Sequence, residues 1–457
     1  MTLARRAVAI AAGAALSSCS GGAAPPAGFA ALPAAVYPAT ATPIEHVVVL
    51  IQENRTFNDI FATFPGTAGT TTGKEFVDGK TRQIALTRVR LESPNTLRHT
   101  YPAYKAAYRG GNMDGFNQII FESTGKPEGT APYQYVASTD VAPYWDIAKD
   151  YAIADRFFQT QGSGSFTAHQ DLIRGDTQIS ATESLIDDPT LSPWGCPAEK
   201  ANKTSLITTA LKYEKNTGPF PCTSSFPDGG KNYATLADLL DAKGVSWKYY
   251  TPAWQGKTGS HWNAFLVISS VYGNPKEWNA HISQPEKSIF TDIDHGALPS
   301  MSWVIPDGIN SDHSGYTSDT GPSWVASVVN AIGRSKYWKS TAVVILWDDW
   351  GGFYDGVKPP KLDRQGGPGF RVPLLVVSPY VARNKISHAT YEFGSVVRFI
   401  EDTWRLGRLG TTDRTSASIA GIFDFHQAPR AFIAIPASRS RSYFLRQPPS
   451  GLPVDDE

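Results

Sequence analysis

Cysteine is scarce in this chain, with three among 457 residues. Two of them sit far from the N-terminus, too few to build a structural zinc site by themselves. An excess of charge of one sign is missing too. Lys plus Arg total 42 and Asp plus Glu total 42, so no net field draws the chain to nucleic acid. That balance leaves room for a local site that takes a small charged or phosphorylated ligand. Long apolar runs are absent after the first residues, and no later stretch is suited to cross a bilayer as a helix. Internal repeats are absent as well. What is present points to a folded enzyme-sized chain. Hydrophobic residues make up 41% and aromatics 12%, enough for a sizeable core in one large α/β domain or two ordinary ones.

The N-terminus reads as a targeting segment. Arg5 and Arg6 precede a short apolar stretch at residues 7–16 (AVAIAAGAAL) and then Leu16-Ser17-Ser18-Cys19. The last four residues resemble a bacterial lipobox, in which the cysteine becomes the lipidated first residue. Plain cleavage nearby without a lipid is the alternative; a twin-arginine signal fits its surroundings poorly. Either way the chain is expected to be exported, as a periplasmic or outer-surface lipoprotein or as a secreted protein. Its contact with membrane is expected only through that N-terminal lipid. Residues 1–19 are thus a signal peptide and 20–43, rich in Ala, Pro, Gly and Thr, a flexible tether. Residues 44–430 are expected to form the catalytic domain and 431–457 a C-terminal tail. With Cys19 set aside, Cys196 and Cys222 are left as a pair, and an oxidising compartment favours a disulfide between them.

Three short, continuous, β-branched runs predict strands covered on both faces: residues 46–51 (HVVVLI), 341–347 (TAVVILW) and 372–377 (VPLLVV). Residues 245–250 (VSWKYY) and 301–305 (MSWVI) read as strands too. Helices are expected at 235–243, between an N-cap threonine and a stop glycine, at 324–332 and at 393–404. The alternation predicts an α/β fold with a mainly parallel central sheet flanked by helices. Residues 105–230, richer in Gly, Pro, Ser and aromatics, are expected to form loop insertions over the active face.

Two of these strands end in polar clusters: HVVVLIQ is followed by Glu53-Asn54-Arg55, and TAVVILW by Asp348-Asp349. Ligands of open α/β sheets bind beyond the carboxyl ends of the strands. Glu53, Asn54, Asp348 and Asp349 are therefore candidate ligands for a divalent cation, whether Ca²⁺, Mg²⁺, Mn²⁺ or Zn²⁺. Two solvated strand-end turns are the plainer alternative. A third cluster, GSGSFTAHQ at residues 162–170, places a hydroxyl among glycines. Ser165 is the candidate nucleophile, and a metal ion would activate it; an inert Gly/Ser loop is the alternative. His99, His313 and His388 sit in polar, turn-rich contexts where an imidazole binds phosphate or moves a proton.

The run at residues 44–61 (IEHVVVLIQENRTFNDIF) resembles the opening signature of the bacterial phosphoesterase family. The likeness continues through 111–116 (GNMDGF), 154–158 (ADRFF), 194–196 (WGC), 337–357 (YWKSTAVVILWDDWGGFYDGV) and 372–381 (VPLLVVSPYV), and covers about residues 44–430. That family holds nonspecific phospholipases C and a group of acid phosphatases. The resemblance implies an alkaline phosphatase-like fold, a metal at Glu53, Asn54, Asp348 and Asp349, and Ser165 as nucleophile. GSGSFTAHQ is similar to the GGSFLNHQ-like pattern of the phosphatase branch. The phospholipase branch instead carries a threonine in a TxPNR-like segment. Asp348-Asp349-Trp350, where phospholipases have acid–Glu–His, points to the same branch. The adjacent His-His pair of some phosphatases is missing near residues 249–254. The resemblance implies a metal-dependent phosphoric ester hydrolase with a phosphoseryl intermediate, acting on a small phosphate ester. A phospholipase C acting on phospholipid headgroups is the alternative. A catalytically silent lipoprotein that binds a phosphorylated ligand is the alternative of another class.

Overall fold

The apolar run that opens the folded region becomes the central strand β1, His46–Gln52, buried at every position after the first. Its valines and isoleucine fit a pleated surface covered on both faces. The structure, a computed structural model, describes residues 42–92, 96–121, 124–226, 233–253, 262–361 and 365–452. The signal segment and the tether up to residue 41 lie outside the described residues.

Among the described residues seven further strands join β1: β2 (Ala152–Ala154), β3 (Trp247–Tyr250), β4 (Ile282–Ser283), β5 (Met301–Val304), β6 (Thr341–Trp347), β7 (Leu374–Val377) and β8 (Lys385–Ser387). Their spatial order is β4-β3-β5-β1-β6-β7-β2-β8. All neighbours run parallel except β7, which is antiparallel to both β6 and β2. The expected α/β class and mainly parallel sheet are present, with one reversed strand.

Helices flank the sheet. The described residues include α1 (Ala142–Asp150), α2 (Ser165–Arg174), α3 (Leu236–Lys243), α4 (Pro275–His281), α5 (Gly321–Gly333), α6 (Phe393–Trp404) and α7 (Arg441–Arg446). α1 packs on α5 and on β2 and β7, while α2 packs with α3 and α6. The expected helix before β3 is capped as its sequence suggests. Asp238 accepts a hydrogen bond from the Thr235 N–H, and Gly244 turns left-handed at φ 64°.

The stretch 105–230 departs from its expectation of insertions alone. It supplies β2 to the main sheet and both α1 and α2 to the helical layers. All ten residues of α2 are buried. Cys196 and Cys222 are joined by a disulfide. The segment after residue 431 packs against the domain: the Ile433 N–H bonds the Tyr151 hydroxyl, and Phe444 on α7 is buried against Trp324.

Candidate active site and metal centre

Register decides the site. β1 and β6 pair in parallel from His46↔Thr341 to Gln52↔Trp347. The residues that follow, Glu53-Asn54 and Asp348-Asp349, therefore leave the sheet side by side. The Asp348 N–H extends the ladder to the Gln52 carbonyl at 2.9 Å, and the Asn54 N–H donates to Asp348 Oδ1 at 3.0 Å. Asn54 takes a left-handed backbone, φ 58°, which asparagine tolerates better than most residues. Gly351, also left-handed at φ 58°, passes so close that a Cβ there would lie 2.1 Å from the Asn54 carbonyl oxygen. Arg55 takes no part in the cluster. It is fully buried, pairs with Asp59 at 3.0 Å and holds the Asp312 and Leu91 carbonyls.

Ser165 opens α2, with Gly164 as N-cap. Its hydroxyl lies 3.1 Å from Asp349 Oδ2 and 3.4 Å from Glu53 Oε2. One helical turn on, His169 shares that face and places Nε2 3.1 Å from Glu53 Oε1 and 3.9 Å from Asp348 Oδ2. Ser163 and Thr167 face elsewhere. Ser163 Oγ donates to Asp187 Oδ1 at 2.8 Å and lies 3.2 Å from Thr167 Oγ1. The first N–H groups of α2 have no acceptor within the helix and carry its positive dipole end, a natural cradle for a phosphate.

Hydrogen bonding sets the imidazole tautomers. The Tyr249 hydroxyl donates to the Trp262 carbonyl at 2.7 Å, so toward His169 Nδ1, 3.4 Å away, it can only accept. His169 Nε2 then presents a lone pair to the carboxylates. Burial pushes the His169 pKa down to about 4, which keeps the ring neutral. His99 behaves alike: Nδ1 faces the Leu97 carbonyl at 2.8 Å, and Nε2 accepts from Asn54 Nδ2 at 2.8 Å. Asn54 Nδ2 also donates to Asp349 Oδ2 at 3.3 Å.

These donors fit a divalent cation. Glu53, His169 and Asp348 each offer one ligand atom, all within 4.8 Å of one another and all fully buried. Asp348 Oδ2 is buried and accepts no hydrogen bond. Buried carboxylates beside a neutral imidazole call for positive charge between them. Glu53, Asn54, Asp348, Asp349, Ser165 and His99, all expected from the sequence, meet in this one cluster.

The other two expected histidines have different described partners. His313 is buried with its ring near Tyr316 and Trp262, and its Nδ1 faces the Ser314 carbonyl. His388, 62% exposed, binds Asp155 with Nδ1 3.0 Å from both carboxylate oxygens, beyond β8 at the far edge of the sheet. His169 is the residue that reading the sequence missed. Its signal was available: it stands four residues after Ser165, one turn of the helix that begins there.

The sequence matches the Phosphoesterase family over residues 44–407. Among curated relatives, the non-hemolytic phospholipase C of Pseudomonas aeruginosa is 23% identical over 406 residues, covering 78% of this chain and 53% of that protein. This chain thus spans about half the length of that relative. Phospholipase C B of Mycobacterium tuberculosis is 24% identical over 450 residues, covering 86% of this chain and 80% of that protein. Solved structures similar to this chain include a Vibrio parahaemolyticus protein of the alkaline phosphatase superfamily, at 11% identity and a TM-score of 0.34, covering 81% of this chain and 70% of that one. With a match over 364 of 457 residues, the chain belongs to the Phosphoesterase family.

Proposed function

We propose that this chain hydrolyses phosphoric esters in a metal-dependent reaction with Ser165 as nucleophile, acting as an acid phosphatase-like phosphomonoesterase. One observation carries the reading. The only hydroxyl of the three at positions 163, 165 and 167 with described bonds into the carboxylate cluster is that of Ser165, at the N-terminus of α2. A bound divalent ion would neutralise charge on the phosphate and lower the pKa of the serine hydroxyl. The imidazole of His169 among the ligands favours Zn²⁺ or Mn²⁺ over Ca²⁺.

The chain's own groups do the rest. The N-terminal N–H groups of α2 hold the phosphate oxygens. Asp349 Oδ2 is the nearest acceptor for the serine proton. Ser165 Oγ attacks phosphorus in line, the ester P–O bond breaks, and the alcohol leaves with a proton from water. The hydroxide so formed then attacks the phosphoserine, inorganic phosphate departs, and the serine oxygen regains its proton from Asp349. Asn54 and His99 hold Asp349 in place through the hydrogen bonds to Asn54 Nδ2.

Acid-quenching turnover of a labelled aryl phosphate and mapping the phosphopeptide tests this directly. Label on Ser165, and a loss of about 10³-fold or more in turnover for Ser165→Ala, are the expected results. Label on Ser163 or Thr167, or near-normal turnover in Ser165→Ala, would remove Ser165 from the role. Chelation is expected to abolish turnover, with restoration by one added metal. The relatives named phospholipase C favour a second reading, cleavage of phospholipid headgroups. Comparing p-nitrophenyl phosphate with phosphatidylcholine vesicles decides between them. Hydrolysis of neither, read as p-nitrophenol or phosphocholine release, would leave the binding-only lipoprotein. Metabolic labelling with palmitate, lost in Cys19→Ala, tests the proposed lipid anchor.

A further inference from the structure

A second group of ligand-bearing side chains gathers at the N-terminal ends of β3 and the edge strand β4, away from Ser165. Asp241 on α3 and Glu277 and His281 on α4 each offer one ligand atom, all within 4.8 Å of one another. Glu277 and His281 stand one turn apart on the same helix face, with His281 Nε2 3.4 Å from Glu277 Oε2.

Trp247, the first residue of β3, organises two of the three, His281 and Asp241. Its carbonyl lies 2.9 Å from His281 Nδ1. Its indole N–H donates to Asp241 Oδ1 at 2.8 Å. Its ring stacks on the imidazole at 3.9 Å and 4°. A carbonyl only accepts, so Nδ1 carries the hydrogen, and a neutral ring turns the Nε2 lone pair toward Glu277. Two lone-pair atoms at that distance repel unless a proton or a cation lies between them. A backbone carbonyl on Nδ1 with Nε2 left to coordinate is how proteins orient a metal-binding imidazole. Two ligands at about 2.0–2.1 Å from a tetrahedral zinc lie roughly 3.3 Å apart, close to the spacing found. The indole bond to Asp241 fixes one carboxylate oxygen and leaves the other to turn inward.

We propose that Asp241, Glu277 and His281 form a second divalent-cation site, suited to Zn²⁺ or an ion of similar softness, with water completing the coordination. Its role is structural. It clamps α3 to α4 and so ties β4 to β3 at the edge of the sheet. His281 is 18% and Glu277 41% exposed, so the ion enters directly from solvent.

The test uses the full chain with the catalytic cluster disabled by Glu53→Gln and Asp348→Asn. After dialysis against chelator, the protein is titrated calorimetrically with Zn²⁺, and its Co²⁺ derivative is examined for visible absorption. One equivalent is expected to bind in this background, to disappear in His281→Gln together with the tetrahedral Co²⁺ band, and to weaken by about tenfold or more in Glu277→Gln. In the otherwise intact enzyme, His281→Gln is expected to keep its turnover and to lose part of the Zn²⁺-dependent rise in Tm. No Zn²⁺ equivalent in the disabled protein, or binding unchanged in both variants, would overturn the site and leave His281 and Glu277 as a surface ion pair. Glu277→Gln lies at a solvent-facing position and keeps the test valid if His281→Gln fails to fold.

Discussion

Three hydroxyls within five residues compete for one role, and helical geometry separates them. Once α2 starts at Ser165, positions 165 and 169 share a face, while 163 pairs with 167 one turn away. Ser163 then serves the fold: it donates to Asp187 Oδ1 and accepts from the Asp187 N–H at 2.9 Å. Ser163→Ala is expected to lower stability by about 1–3 kcal/mol, the cost of a buried bond left unmade, with turnover changed little. His169→Ala is expected to do the reverse. It removes a ligand atom from the cluster, so turnover falls by about 100-fold or more and metal content drops. Parallel thermal melts, metal analysis and steady-state kinetics on the two variants check both. A stable, metal-replete and active His169→Ala would take His169 out of the site. Glu53, Asn54, Asp348 and Asp349 were legible in the sequence because each follows a run that reads as a buried strand. His169 was legible only through its spacing, four residues after Ser165, and its use depends on a helix starting at that serine.

At the scale of elements, two strand-end turns must fit together for the ligands to meet. Asn54 and Gly351 both take left-handed backbone, and they touch. Gly351→Ala meets two obstacles, the positive φ and a Cβ lying 2.1 Å from the Asn54 carbonyl oxygen. It is expected to destabilise the protein by about 2–4 kcal/mol. It also shifts Asn54, whose N–H holds Asp348 and whose amide reaches Asp349. Turnover is therefore expected to fall further than a purely structural substitution of equal cost would bring it. Denaturant melts beside kcat measurements separate the two effects; an unchanged kcat in folded protein would show that the turns move independently of the ligands.

The C-terminal segment shapes the molecule beyond the catalytic edge. Residues 447–452 close a cleft of about 320 Å³ with Pro252, Trp262, Glu286 and Asp307. Ser450 N–H bonds Asp307, and Lys287 Nζ holds the Gln447 carbonyl at 2.6 Å. Within this cleft, burial, aided by the nearby Asp307 charge and opposed by Lys287, pushes the Glu286 pKa from 4.5 up to about 7. The fold prefers the protonated acid, so this contribution to stability is complete below about pH 4.5 and is lost as pH rises through about 7. Glu286→Gln keeps the neutral shape at every pH. It is expected to match the wild type near pH 4.5 and to exceed it at pH 8 by up to about 3 kcal/mol, read from Tm against pH; a gap that does not vary with pH would contradict it. The disulfide acts on the unfolded chain instead. Replacing Cys196 and Cys222 by serine opens a loop of 26 residues' separation and is expected to reduce stability by about 3 kcal/mol in denaturant titrations.

The sequence by itself determined the class of fold, the main strands and the residue types at their ends. Local rules govern those features: β-branched continuous runs, a threonine cap, a stop glycine, acids after a buried strand. Even the cysteine pair followed from counting. Only the tertiary structure decided which strands are neighbours. No local pattern states that residue 46 pairs with residue 341 or that β7 runs backward, because such pairings are fixed by packing the whole sheet at once. The same holds for the histidines. His99 and His169 reach the carboxylates and His388 binds Asp155 at the far edge, although all three sit in polar sequence contexts. A side chain's neighbours across the fold, rather than its neighbours in the chain, settle which imidazole meets the ligands.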